Sequence, residues 1–150
     1  MQVLFCRMGF ARENSAGYLI NQLARLFARE LQHHIQPLGI VTGQFPVLLA
    51  LWGRDGVTQR ELLAEIDVEQ ATLANTLIRM ERDGLVKRTK HPTDARAQQI
   101  WLTQKALNVR DDAYLSANQV NQDALACLSD DERALFIKLM CKVIKNMREE

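Results

Sequence analysis

The feature that most limits the fold is a change of hydrophobic period after Gly84. Before it, apolar residues recur at helical spacing. From Leu85 to Thr89 and from Gln98 to Leu102 they stand in two short extended runs, with the turn-prone His91-Pro92-Thr93-Asp94 between them. The two runs make one hairpin with a loop of about eight residues. Only 7 Gly and 3 Pro punctuate 150 residues, too few for a many-turned all-β chain, so the rest is expected to be helical.

Upstream, Leu19, Leu23, Leu26, Phe27, Leu31 and Ile35 mark one face of a helix from Ser15 to Ile35, ended by Pro37 and Gly39. Thr42 is placed to cap a second helix with Phe45 to Trp52 at its centre, Pro46 being tolerable in its first turn. Thr58-Gln59-Arg60-Glu61 has the form of a capping box opening a short helix. After a break at Asp67-Val68, a helix is expected from about Glu69 to Asp83, with Leu73, Leu77 and Met80 inward and Gly84 just past its end. Downstream of the hairpin, Thr103 caps a long helix predicted from Gln104 to Leu128. Ser129-Asp130-Asp131-Glu132 is a second capping box before a last helix carrying Leu135, Leu139, Val143 and Ile144. The fold class is therefore mostly α with a small β-hairpin.

The net charge of +1 conceals a division. Between Leu85 and Lys105 stand Lys87, Arg88, Lys90, Arg96 and Lys105 against the single acid Asp94, whereas from Asp111 onward eight acids face five bases. One end would attract phosphate and the other repel it. A short helix, a tight turn, a second helix and a basic hairpin form the layout of a winged helix-turn-helix, which sets its second helix in the major groove of double-stranded DNA. Opposite Leu73, Leu77 and Met80, that helix offers Gln70, Thr72, Asn75, Thr76 and Arg79, side chains of base-reading or phosphate-reading type. The alternative from composition is a polar outer face with no ligand.

Several function classes find no support. There is no nucleophile elbow, glycine-rich phosphate loop or HExxH motif, and Asp111 and Asp112 adjoin on a helix and so point apart. No enzyme activity and no cofactor are expected. No metal is expected either, since His33 and His34 lack further ligands at useful spacing; one of the two is expected to face a core or an interface. The longest stretch free of Asp, Glu, Lys and Arg, Leu31 to Gly53, has only Phe45 to Trp52 as a solid apolar block, too short to span a membrane. The N-terminus lacks a convincing secretory signal, and a cytoplasmic location is expected. Cys6, Cys127 and Cys141 are read as free thiols, the last two as packing residues in apolar helical patterns.

The run Gly84-Leu85-Val86-Lys87-Arg88, then Pro92-Thr93-Asp94-Ala95-Arg96, then Ile100-Trp101-Leu102-Thr103 closely resembles the wing signature of the MarR family of transcriptional regulators. The resemblance continues through Glu61-Leu62-Leu63-Ala64, through Thr72 to Glu81 and back to Gly43-Gln44-Phe45. It implies a winged-helix homodimer on a near-palindromic DNA site, usually a repressor released by a small ligand or by oxidation. By the same resemblance, Arg96 contacts the minor groove and Asp94 steadies the wing through an ion pair, while Thr72, Asn75, Thr76 and Arg79 read bases. Gln70 and Arg88 join them as expected DNA contacts. Glu69 stands where the family commonly has a capping Ser, and Ala106 replaces a frequent Gly.

The expected division is an N-terminal tail at 1–14, a winged helix-turn-helix at 41–103, and a dimerising region from 15–40 and 104–150, because the terminal helices carry apolar faces that one small winged domain cannot cover. Trp52, Trp101 and Tyr114 are more simply core residues, yet the resemblance implies an effector cleft, and Phe27, Trp52 and Tyr114 suit one for a small aromatic or phenolic molecule. Cys6 is either a tail thiol or the sensor of a thiol-oxidation switch, which would make oxidation the signal. A third reading is a winged module that only contacts proteins; the basic hairpin and Arg96 argue against it.

Overall fold

In the computed structural model, which describes residues 11–149, the helices are α1 (Ala16–Ile35), α2 (Phe45–Gly53), α3 (Gln59–Glu65), α4 (Gln70–Arg82), α5 (Gln104–Asn108), α6 (Arg110–Ala124) and α7 (Asp130–Arg148). The strands are β1 (Val57–Thr58), β2 (Val86–Lys90) and β3 (Gln98–Leu102). Cys6 lies outside the described residues.

Local signals start most helices. Ser15 accepts the Tyr18 N–H ahead of α1. Ahead of α3, Thr58 Oγ1 accepts the Glu61 N–H at 3.2 Å and Glu61 Oε2 accepts the Thr58 N–H at 2.7 Å, the expected reciprocal cap. Ser129 and Glu132 do the same for α7, and Thr103 caps α5. The Glu61 carboxyl is held below its ordinary pKa by the Thr58 N–H and hydroxyl, with Arg54 adding to them. Thr42 departs from expectation. Its N–H and hydroxyl both donate to Gln32 Oε1, at 2.9 and 2.8 Å, and a 3-10 turn at Thr42–Gln44 leads into α2 instead.

The hairpin becomes a three-stranded antiparallel sheet of order β1-β3-β2, because Val57 and Thr58 pair with Ile100 and Gln99. Register across the hairpin sets Val86 against Leu102 and Arg88 against Ile100. Buried Val86, Ile100 and Leu102 join Leu48, Leu51, Leu62, Leu73, Leu77 and Met80 in one core between sheet and helices. Gly84 takes φ +73° at the end of α4, the left-handed conformation expected past a helix C-terminus.

The long helix predicted from Gln104 to Leu128 is two helices parted at Val109. Ala106 O, which in a continuous helix would close onto the N–H four residues on, accepts the Trp52 indole N–H at 3.1 Å. The second part stops at Ala124, and Arg133 Nη2 of α7 donates to the Leu125 carbonyl at 3.2 Å in the turn that follows. That turn leaves Cys127 exposed. Cys141 is exposed too, because α7 buries none of its residues within the chain, so neither cysteine is a packing residue there. His33 and His34 are likewise both exposed. On α1 only Ile35 is buried, and Tyr18, Leu19, Ile20, Leu23 and Leu26 stand open. Among the described residues, no single helix is long and apolar enough to cross a membrane.

Candidate nucleic-acid interface

Packing decides which face α4 shows to solvent. Leu73, Leu77 and Met80 are each 0% exposed. At about 1.5–3 kcal/mol for each fully buried aliphatic side chain, they fix the helix's rotation about its own axis. The opposite side then carries Thr72, Asn75 and Arg79, all exposed; Gln70 is exposed at the first turn, in line with the buried stripe, and Thr76 is half-buried on its flank. The Thr76 hydroxyl donates to Thr72 O at 2.8 Å, which leaves its oxygen as an acceptor and its methyl as an apolar contact. Glu69 caps α4 with no side-chain hydrogen bond, so the first-turn N–H groups keep free valence for an anion.

The wing tip is built from its own side chains. His91 Nδ1 accepts the N–H groups of Thr93 and Asp94, at 3.3 and 3.1 Å. Asp94 Oδ1 accepts the Arg96 N–H at 2.9 Å, and Asp94 O accepts the Ala97 N–H. Asp94 thus steadies the wing through the backbone, where the resemblance implies an ion pair. The Arg96 guanidinium takes part in no ion pair among the described residues. Arg88 sits differently: its side chain is 21% exposed and lies 3.4 Å from Glu81, bracing the wing against α4.

Between the wing and the start of α3 lies a cleft of about 530 Å³ whose lining includes Arg60, Arg88, His91 and Arg96. Arg60 and Gln59 are additions to the expected set. The only signal for them in the sequence is their place directly after a helix-capping Thr, where backbone N–H groups also face outward. The same lining holds the carboxylates of Glu61 and Asp94, and Arg88 is drawn to Glu81, so Arg60 and Arg96 are the guanidinium groups best placed there to follow a phosphate backbone.

A separate apolar cleft of about 560 Å³ opens between α1, α2 and α6. Phe27 and Tyr114 line it together with Leu31, Phe45 and Leu49, and Thr42 stands at its edge. Trp52 does not line it. Its ring packs edge-on behind Tyr114, with centroids 5.3 Å apart, and its N–H is spent on Ala106.

Residues 42–97 match the profile of the MarR family. The chain is similar to the transcriptional regulator HosA of Escherichia coli O111:H-, at 31% identity over 134 residues that cover 89% of this chain and 98% of HosA. Among solved structures it is similar to a mutant MarR from E. coli complexed with operator DNA (TM-score 0.79, 28% identity, 85% of this chain and 91% of that one). It is also similar to the PcaV transcriptional regulator from Streptomyces coelicolor in complex with its natural ligand (TM-score 0.78, 25% identity, 91% of this chain and 96% of that one).

Proposed function

This chain belongs to the MarR family of transcriptional regulators, and within that DNA-binding role we propose that it acts as a homodimeric repressor of a near-palindromic site, released by a small aromatic or phenolic molecule. The observation that carries the reading is a pair of exposed surfaces with opposite chemistry. One end presents the hydrogen-bonding face of α4 beside a polar cleft that holds Arg60 and Arg96. The other presents bare apolar faces on α1 and α7, including Leu23, Leu26, Leu139 and Ile144.

Apolar patches of that extent on a folded chain mark an interface. Arg133 adds to the argument, because its Nε is buried without an acceptor among the described residues, and a second copy could supply one. Residues 15–40 and 104–150 then join two copies, and 41–103 reads DNA. A two-fold axis between the copies sets two α4 helices about 34 Å apart, one turn of duplex, so that they read an inverted repeat. Asn75 suits a bidentate contact to adenine; Gln70, Thr72, Thr76 and Arg79 flank it with further base or phosphate contacts. Arg96 serves the minor groove, and Arg88 adds charge to the same surface while bracing the wing.

The apolar cleft beside Phe27 and Tyr114 lies where the α1 and α6 ends of the chain meet α2. An occupant there favours one angle between the two ends, and a tenfold loss of DNA affinity needs only about 1.4 kcal/mol of preference between two dimer shapes.

The test is selection of duplexes from a random pool, followed by affinity for selected and random DNA at fixed salt, sedimentation of the complex, and titration with aromatic acids. Equal affinity for both DNAs overturns base reading in favour of a protein-contact module. A single copy occupying the whole selected site overturns the dimer. Release by peroxide that Cys6→Ser abolishes, with no aromatic effect, replaces the effector by a thiol switch.

A further inference from the structure

Gln44 is the one buried polar residue among the described residues, at 2% exposed. It closes the 3-10 turn ahead of α2 and uses both ends of its carboxamide. Oε1 accepts the Val41 N–H at 3.2 Å, and Nε2 donates to Asp83 Oδ2 at 2.9 Å. Asp83 is the C-cap residue of α4. Its other carboxylate oxygen accepts from Arg82 Nε at 2.9 Å, and its carbonyl accepts from Lys105 Nζ of α5 at 2.8 Å. On the near side, Thr42 is bonded twice to Gln32 of α1. A continuous polar chain therefore runs from α1, through the backbone of 41–44, to the end of α4.

We propose that Gln44 is a positioning residue for DNA recognition: by holding Asp83 it fixes the angle at which α4 is carried relative to α1, and so whether the reading face meets its bases. This rests on α4 being the reading helix, as proposed above.

A residue needed only to close its own turn would use Oε1 alone. The Nε2 bond spans 39 residues and is the one hydrogen bond, among the described residues, that ties the turn before α2 to the end of α4. Apolar packing of Leu73, Leu77 and Met80 is non-directional and sets α4's rotation about its axis, whereas a hydrogen bond from a buried donor has a preferred line and sets the tilt. The Gln44 carboxamide, being buried, has no water to turn to in place of Asp83, although the Asp83 carboxylate itself is half-buried. Thr42 also borders the apolar cleft, so an occupant of that cleft would lie against the first link of the chain.

The experiment uses the full chain and the duplex it selects from a random pool, and reads the ratio of affinities for selected over random DNA at fixed salt. Gln44→Leu and Asp83→Leu are each expected to lower that ratio roughly tenfold, and the double variant to lower it no further than either single one. Asp83→Asn still offers Oδ1 to Gln44 while removing the charge, and keeps the ratio. Gln32→Met, at a half-buried position outside the core, is expected to lower it about threefold when measured at a temperature where the variant is fully folded. Equal weakening for selected and random DNA, additive single effects, or an Asp83→Asn as damaging as Asp83→Leu each overturn the proposal. Should Gln44→Leu not fold, Gln32→Met and the two Asp83 variants decide it by the same criteria. An Asn75→Ala variant with unaltered base preference would instead overturn the underlying assignment of α4, a separate failure.

Discussion

Alanine at Gly56 tests how tightly the root of the wing is packed. Gly56 has φ +69°, and a Cβ there would fall 2.4 Å from Trp101 Cη2 and 2.7 Å from two further ring carbons. Neither side can give way. The Gly56 N–H donates to Ile100 O at 3.0 Å and its carbonyl accepts from Gln99 Nε2 at 2.9 Å, while the indole N–H is bonded to Thr89 Oγ1 at 2.9 Å. Gly84 is a natural control, with φ +73° and nothing within 4 Å of the Cβ position. Alanine at Gly84 meets only the left-handed backbone, a cost of about 1 kcal/mol once the stiffer unfolded chain is counted. Alanine at Gly56 adds overpacking of about 1–3 kcal/mol, for a total of about 2–4. In urea titrations followed by tryptophan fluorescence at fixed protein concentration, with a slope of about 1.5 kcal/mol/M, the midpoint falls by about 0.7 M for Gly84→Ala and about 1.3–2.7 M for Gly56→Ala. In a Trp101→Leu background, which keeps Trp52 as the fluorophore, Gly56→Ala is expected to cost no more than Gly84→Ala. Equal midpoint shifts for the two glycines, or no recovery in that background, would refute the steric argument.

Acid sensitivity is expected at the α3 cap. The Glu61 carboxyl has its pKa lowered from 4.5 by the Thr58 N–H and hydroxyl, so its contribution is complete above the unfolded value and is lost as pH falls below about 4.5. Stability curves between pH 6 and pH 3 are expected to be flatter for Glu61→Gln, which keeps the geometry without the charge; an unchanged slope counts against the cap. Arg96→Ala is expected to weaken binding to every sequence and to lower the salt slope by about one, whereas Asn75→Ala costs about 1–3 kcal/mol on the selected site and alters base preference. Filter binding over a salt series separates the two, and identical behaviour would undo the division of roles. Leu23→Glu on the bare face of α1 is expected to yield monomers in sedimentation and to abolish specific binding; dimers of normal affinity would contradict the proposed interface.

Much of the molecule is legible in the sequence because its signals are local. Ser15, Thr58 with Glu61, Thr103, and Ser129 with Glu132 each mark a helix start within four residues, and each cap forms. The inward face of α4 follows from spacing alone. What escapes is set by partners distant in sequence. Two residues carry no period, so β1 becomes a strand only because β3 lies beside it. The break at Val109 has no Gly or Pro, and depends on Trp52 reaching Ala106 across 54 residues. Arg60 joins the basic cleft because the wing folds back over the start of α3, and Arg88 is turned to Glu81 by its register opposite Ile100. Sequence spacing identifies an arginine on a wing; the sheet decides which way it faces.

Thr58 belongs to two structures at once, as a rung of the ladder opposite Gln99 and as the cap of α3. The wing is therefore anchored like a cantilever whose fixed end is the helical unit itself, while its free end, 91–97, is held by its own short loop of bonds. A sideways load at the tip is absorbed within those seven residues, and a load at the root is passed to α3 through Thr58 and to α4 through Arg88 and Glu81. Backbone amides of β3 should accordingly exchange with solvent only on global opening, and those of 92–96 far sooner. Grafting a foreign wing onto this scaffold would mean importing β1 and its threonine as well, since a hairpin spliced at Gly84 alone would arrive without its anchor.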